Sequence, residues 1–289
     1  MKLFDRIAKY PKKLTQNEKA LVRYIEASYP HGILGSATDI AGKVGVSAST
    51  VVRFFAKLGY ESFGEFQREV RLEVSSKLAS PSQRAHLTIK DEAEPSSILD
   101  RVFTFDRENL NATREANSAE EFQRFVDAIA RKDGGKVYVI GSKNSVAVAQ
   151  YLQTHLNMCR PDVHLLGRSV TLVADELLWL SPRDTLVAVS IRRYSKQVIQ
   201  AAQYFRQQGA SVVTITDSPL SPIAGLSDHR LLIQTASASP FDSYTAGFTL
   251  SNAIVAAVAL RRKQEIEALL ERGDKLWTHF DVFSGLTGL

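Results

Sequence analysis

Residues Gly45 to Phe63 read GVSASTVVRFFAKLGYESF, and the build of the N-terminal part of the chain follows from this stretch. Gly45 stands where a helix has to stop, because a left-handed backbone angle carries no side-chain penalty for glycine. Ser47 suits an N-cap, accepting one of the backbone N–H groups that a first helical turn leaves unpaired. From Ala48 to Leu58 the residues Val51, Phe54, Phe55 and Leu58 recur at helical spacing and face a core, which leaves Ser49, Thr50, Arg53 and Lys57 outside. A sharp turn followed by a short helix with small and basic residues on its outer face is the pattern of a helix-turn-helix.

The flanking residues supply the other helices. Thr15 with Glu18 forms a capping box, and Leu21, Val22 and Ile25 continue a helix to about Ser28. A second helix fits Thr38 to Val44, with Ile40, Ala41 and Val44 as its apolar face, and Ser62 with Glu65 opens another over Phe63 to Leu78. In such a motif the first turns of the recognition helix meet base edges, so Ser49, Thr50 and Arg53 are expected to read bases. Thr38, Lys43, Ser47 and Lys57 are expected on phosphates of double-stranded DNA, positioning the protein without reading sequence. A three-helix interaction module whose serines only cap helices is the other reading these residues allow.

Charge favours the first of the two. Residues 1–80 hold 13 Lys and Arg against 8 Asp and Glu, whereas residues 81–289 hold 23 of each, so the whole excess of +5 lies beside the motif. Localised basic charge is the electrostatic footprint of nucleic-acid binding.

At 289 residues and 44% apolar, the chain is long enough for two domains. Cys159 is the only cysteine, the six histidines are scattered, and no pair of Cys or His has metal-ligand spacing, so no metal and no other cofactor is expected. A lone cysteine fits a cytoplasmic protein. The N-terminus lacks the apolar core of a signal peptide, and the apolar run around Ala253 to Leu260 is too short to span a bilayer, so no membrane association is expected.

Beyond a polar linker at 79–95, helices are expected from Ser97 to Glu115 and from Ser118, capped with Glu121, to Gly134 and Gly135. The pattern then changes to apolar runs bounded by turns: Val137 to Ile140, Val163 to Leu166, Thr185 to Ile191, Ser211 to Thr216 and Arg230 to Ile233. Runs of Val, Ile and Leu alternating with helical stretches predict strands buried on both faces of a parallel sheet. The expected fold is an all-α helix-turn-helix domain over 1–78, then an α/β doubly wound domain with a five-stranded parallel sheet over 96–289. One long apolar helix is expected from Ser243 to Ala268, covering the sheet or forming a dimer surface.

Ligands of open α/β sheets bind where strand-end loops meet helix N-termini. Two such loops are rich in hydroxyls: Gly141-Ser142-Lys143-Asn144-Ser145 and Ser190-Ile191-Arg192-Arg193-Tyr194-Ser195, with Thr216-Asp217-Ser218 as a third. Ser145 serves either to cap its helix or to hold a phosphate, and the same alternatives stand for Ser195. The candidate ligand-binding residues are Ser142, Lys143, Asn144, Ser145, Ser190, Arg192, Arg193, Tyr194, Ser195 and Asp217.

The Gly-Val-Ser-x-Ser-Thr-Val-Val-Arg-Phe stretch from Gly45, with Lys57-Leu58-Gly59-Tyr60 and Phe63, resembles the MurR/RpiR transcriptional regulators. Ile140-Gly141-Ser142 and Ile215-Thr216-Asp217-Ser218 are similar to their SIS, or sugar isomerase, domain. The resemblance implies a homodimeric or homotetrameric regulator, without catalysis, whose SIS domain binds a phosphosugar and alters its affinity for a DNA operator. One departure is local: where the SIS loop has Ser-x-Ser-Gly-x-Thr, Arg192 and Arg193 replace the second Ser and the Gly, while Ser190 and Ser195 match the ends. An arginine brings a guanidinium that grips carboxylate or phosphate in a fork, so a small acidic metabolite, a sugar phosphate or sugar acid, is the expected effector. Two other readings are kept: a phosphosugar isomerase with a DNA-binding appendage, for which Glu176 and His229 are candidates by residue type alone, and a regulator whose second domain only oligomerises.

Overall fold

The computed structural model describes residues 3–8, 10, 14–28, 31–33, 35–78, 82, 85, 95–131, 135–167, 173–219 and 221–283. The chain divides into two compact units, Met1–Lys90 and Asp91–Leu289. The linker expected at 79–95 lies outside the described residues except at 82, 85 and 95.

The first unit contains α1 (Leu3–Ala8), α2 (Gln16–Ser28), α3 (Ala37–Val44), α4 (Ala48–Lys57) and α5 (Phe63–Leu78). The predicted box opens α2: the Thr15 N–H donates to Glu18 Oε2 at 2.8 Å and the Glu18 N–H to Thr15 Oγ1 at 3.3 Å. Helix α3 begins one residue earlier than expected, because Ser36 caps it and Asp39 accepts in return from the Ser36 N–H. Gly45 has φ 78°, and its N–H closes α3 on the Ala41 carbonyl at 2.9 Å. Leu21, Ile25, Ile40, Val51, Phe54, Phe55 and Phe66 are buried, and the Phe55 and Phe66 rings stack with centroids 3.7 Å apart. The N-terminus adds a clamp: Arg6 Nη1 donates to the carbonyls of Leu58 at 3.1 Å and Gly59 at 2.8 Å, its guanidinium lying 4.3 Å from the Tyr60 ring centroid. Carbonyls at a helix C-terminus lack intrahelical partners, so this cation satisfies the end of α4.

The second unit contains α6 (Pro95–Ala116), α7 (Ala119–Ala130), β1 (Val137–Gly141), α8 (Ser145–Leu156), β2 (Val163–Leu165), α9 (Val173–Glu176), β3 (Thr185–Ser190), α10 (Lys196–Gln207), β4 (Ser211–Thr216), β5 (His229–Leu232), α11 (Thr245–Arg261) and α12 (Lys263–His279). The five strands form one sheet in the order β2-β1-β3-β4-β5, with every pair parallel. Val139, Val187, Val189, Val213 and Ile215 pack on one face against Val148 and Leu152 of α8 and Ile254 and Val258 of α11. Tyr138, Ile140, Leu186, Ala188 and Val212 pack on the other against Val198, Ala202 and Phe205 of α10. Burial on both faces is why the strands are continuous apolar runs in the sequence.

Two boundaries differ from expectation. The helix predicted from Ser243 to Ala268 is two helices, broken at Arg262, whose backbone leaves helical geometry at φ −114°, ψ 24°. The Arg262 side chain is buried, donates to the Arg131 carbonyl and pairs with Glu265, so an inward guanidinium interrupts the helix at a point with neither Gly nor Pro beside it. The helix expected to reach Gly134 and Gly135 ends at Ala130, where buried Arg160 donates to the Ile129 carbonyl; Gly134 lies outside the described residues.

The β5 edge of the sheet is closed by side chains rather than by a strand. Asn117 accepts from the Leu232 N–H at 2.8 Å and donates to the Leu232 carbonyl at 2.7 Å. Four residues earlier Thr113 accepts from the Gln234 N–H, and four before that Asn109 accepts from the Ala236 N–H and donates to its carbonyl. One stripe of α6 and its following residue thereby hydrogen-bonds backbone that an edge strand leaves unpaired.

Candidate functional site

In the first unit, the turn at Gly45 and α4 place Ser47, Ser49, Thr50 and Arg53 at or near the start of α4. Ser47 caps α4 by accepting from the Thr50 N–H at 3.2 Å, and its hydroxyl also lies 2.9 Å from the Ser49 hydroxyl and 2.8 Å from that of Thr50. The three hydroxyls form one cluster at the helix N-terminus, and Arg53, a turn further on, is exposed. Thr38 and Lys43 are exposed on α3. Lys57 has a partner that the sequence pattern does not predict: its Nζ donates to Glu18 Oε1 at 2.6 Å. The reason is Glu18, a carboxylate buried against α4, which has to be paired.

In the second unit the strand order puts β1 beside β3 while their following helices, α8 and α10, cover opposite faces. The crest above β1 and β3 is therefore the point where the winding reverses, the place where open α/β sheets bind ligands. Both hydroxyl-rich loops end there. Glycine is needed at position 141 because a Cβ would lie 2.6 Å from the Ser145 carbonyl oxygen and 2.9 Å from the Ala149 side chain. Ser142 is half-buried, while Lys143, with φ 52°, and Asn144 are exposed.

Neither serine bonds as a cap. Ser145 is the first residue of α8 and is buried, with its hydroxyl bonded to Tyr244. Ser195 occupies the N-cap of α10 but makes no side-chain capping bond.

Arg192 and Arg193 adopt positive φ values of 24° and 49°, the latter at the position where the family loop has glycine. The Arg192 N–H donates to Asp217 Oδ1 at 3.3 Å, and its Nη1 lies 3.3 Å from Asp242 Oδ1. Arg193 is exposed, and Tyr194, Ser195 and Asp217 are half-buried beside it. Two atoms at this crest, Ser190 Oγ and Arg192 Nε, are buried without a hydrogen-bond partner among the described residues. Burial, with the negative charges of Asp242 and Asp217, raises the Tyr244 phenol above its ordinary range. The crest thus joins a guanidinium, a carboxylate, two buried hydroxyls and the amino ends of two helices, an arrangement suited to an anion.

Asp242 and Tyr244 escape strand-by-strand reading because they come after β5 at a distance, beyond the run of small residues from Ala236 to Ser239. The loop after a last strand also leaves the carboxyl edge of a parallel sheet, and counting it with the others brings both residues to the crest. Glu176 and His229 are not brought together: Glu176 faces a cleft beside Tyr138 and His164 toward β2, whereas His229 lies on β5 at the opposite edge, 3.7 Å from Glu121. No group of three or more His, Cys, Asp or Glu suited to a metal occurs among the described residues. No described helix is long and apolar enough to cross a membrane.

A helix-turn-helix unit followed by a SIS-like parallel sheet is the build of a DNA-binding transcriptional regulator. Residues 1–81 match the model of the helix-turn-helix domain of the rpiR family, and residues 129–257 match the SIS domain model. The sugar isomerase domain of the RpiR transcription factor from Sphaerobacter thermophilus is 30% identical, with a TM-score of 0.59, over 62% of this chain and 98% of that one. The chain belongs to the RpiR family of transcriptional regulators. An uncharacterized HTH-type transcriptional regulator of Thermotoga maritima is 27% identical over 242 residues, 81% of this chain and 82% of its own. The Vibrio vulnificus NanR protein, solved in complex with ManNAc-6P, shares the fold at 19% identity and a TM-score of 0.56 over 98% of this chain and 100% of that one.

Proposed function

We propose that this regulator senses a small acidic metabolite at the crest of its SIS domain and changes its operator affinity in response. The observation that carries this reading is Arg192, a guanidinium at the winding reversal beside two helix N-termini and the unpartnered Ser190 hydroxyl. A sugar phosphate or sugar acid fits: the anion meets Arg192 and the helix ends, and sugar hydroxyls meet Ser142, Ser145, Tyr194 and Ser195. The NanR relative, complexed with ManNAc-6P, supports that ligand class. The protein acts in the cytoplasm as a homodimer or homotetramer, so that two recognition helices meet half-sites roughly 34 Å apart. Its SIS domain binds without turnover; Glu176 and His229, the acid and base candidates, stand apart from the crest and from each other.

Fluorescence anisotropy on the DNA upstream of its own gene, at fixed salt and titrated with sugar phosphates and sugar acids, tests this. One compound is expected to shift operator affinity while random DNA is unaffected. Specific binding that ignores every compound overturns the sensing role and leaves a SIS domain that only oligomerises.

A further inference from the structure

The Arg192 guanidinium already has an anion beside it, and that anion belongs to the chain. Asp242 Oδ1 lies 3.3 Å from Arg192 Nη1, and only 8% of the Asp242 side chain is exposed. The pair is incomplete on the arginine side, since Nε is buried without a partner among the described residues. Ser190 Oγ, in a residue 2% exposed at the end of β3, is a second buried group with none. A guanidinium whose Nη1 meets a carboxylate while its Nε has no partner, with an unpartnered Ser190 hydroxyl two residues before it in the same loop, leaves room in bonding terms for a better anion than a single carboxylate.

Asp242 is also continuous with residues that are tied elsewhere. Next in sequence, the Ser243 hydroxyl donates to Asp106 Oδ1, and the Thr245 hydroxyl donates to Asp106 Oδ2 at 2.7 Å. Asp106 lies on α6, the helix that carries Asn109 and Thr113 and holds residues 234–236. The segment bearing Asp242 is thus pinned to Arg192 at the crest and to the first helix of the unit.

We infer that Asp242 is an internal stand-in for the effector's anion: it holds Arg192 in the unliganded protein, and effector binding displaces it, freeing the 242–245 segment from the crest and loading α6. This rests on the anion site proposed above. It gives the arginine at the second serine position of the loop a purpose, because Arg192, which grips the ligand, is also the latch the ligand opens. A ligand shifts an equilibrium only by its differential affinity for the two states, and Asp242 supplies that difference.

The test uses full-length protein, inorganic phosphate and gluconate as probes, and calorimetry at fixed salt. Asp242→Asn removes the competing charge with little change of shape and is expected to tighten binding of at least one probe about tenfold, within the usual range of coupling. Asp274→Asn, the same charge change on exposed α12, is expected to leave affinity unchanged, which separates local competition from net charge. Arg192→Ala is expected to abolish binding. If Asp242→Asn binds no tighter while Arg192→Ala still loses the probe, the stand-in is refuted and the anion site survives. If Arg192→Ala binds as well as the unmodified protein, or no variant binds either probe, the anion site itself is refuted and the stand-in with it.

Discussion

Lys57 at the last turn of the recognition helix donates from Nζ to Glu18 Oε1 across 2.6 Å, joining α4 to the first turn of α2. Glu18 is buried and its neighbour half-exposed, so the carboxylate depends on the lysine more than the reverse. The Lys57 hydrogen bond, aided by those from Thr15, holds the Glu18 carboxyl below its ordinary value of 4.5. A depressed carboxyl contributes stability that is fully present above its unfolded value and is lost as pH falls through the folded one.

Thermal unfolding of the N-terminal unit, followed from pH 7 down to pH 3, is therefore expected to show a midpoint that drops below about pH 4.5, near the unperturbed carboxylate range. Glu18→Gln is expected to lower the midpoint at pH 7 and to flatten this acid limb. An acid limb of unchanged steepness in the variant would place its origin in other carboxylates.

Arg53→Ala is expected to cost about 1–3 kcal/mol on the specific operator and much less on random DNA, because a base-reading guanidinium loses bidentate bonds that random sequence does not offer. Anisotropy on both DNAs at one salt concentration distinguishes this from a phosphate contact, for which the losses are equal. Lys57→Ala gives the contrast: its side chain is engaged with Glu18, so its effect is expected in stability before affinity.

Gly141→Ala forces a methyl against the Ser145 carbonyl and the Ala149 side chain at the contact between β1 and α8. Overpacking of this kind costs about 1–3 kcal/mol. Urea unfolding is expected to show that loss in the α/β unit alone, with the N-terminal unit unchanged.

Asn117→Ala removes the acceptor for the Leu232 N–H and the donor to its carbonyl. Stranding partly buried backbone groups costs about 1–3 kcal/mol, and Asn117→Asp, which keeps the acceptor, is expected to lose less. Amide hydrogen exchange at Leu232 is the local readout, and protection surviving in the alanine variant would mean water replaces the side chain.

The parts legible in the sequence are those set by short-range rules. Gly45 and Ser47 mark the turn and the start of the recognition helix because backbone angle and capping chemistry are local, and the strands stand out because burial on both faces favours runs of Val, Ile and Leu. The ion pair of Lys57 is not legible because its partner, Glu18, lies 39 residues away and already has a local role in the α2 cap. Arg262 breaks a helix for a similar reason: the carbonyl it reaches, that of Arg131, is distant in sequence. At the crest the loops after β1 and β3 are legible from strand-end position, whereas Asp242 and Tyr244 reach it only through the tertiary course of the segment after β5.

The side-chain ladder of Asn109, Thr113 and Asn117 limits the contacts the β5 flank can make. A parallel sheet grows by adding a strand to an open flank, and on the β5 flank the amides and carbonyls of Leu232 and Ala236 are already spoken for. Extension of the sheet from one molecule into another is barred on that side, and any contact made there leaves the hydrogen-bonded sheet of each molecule intact.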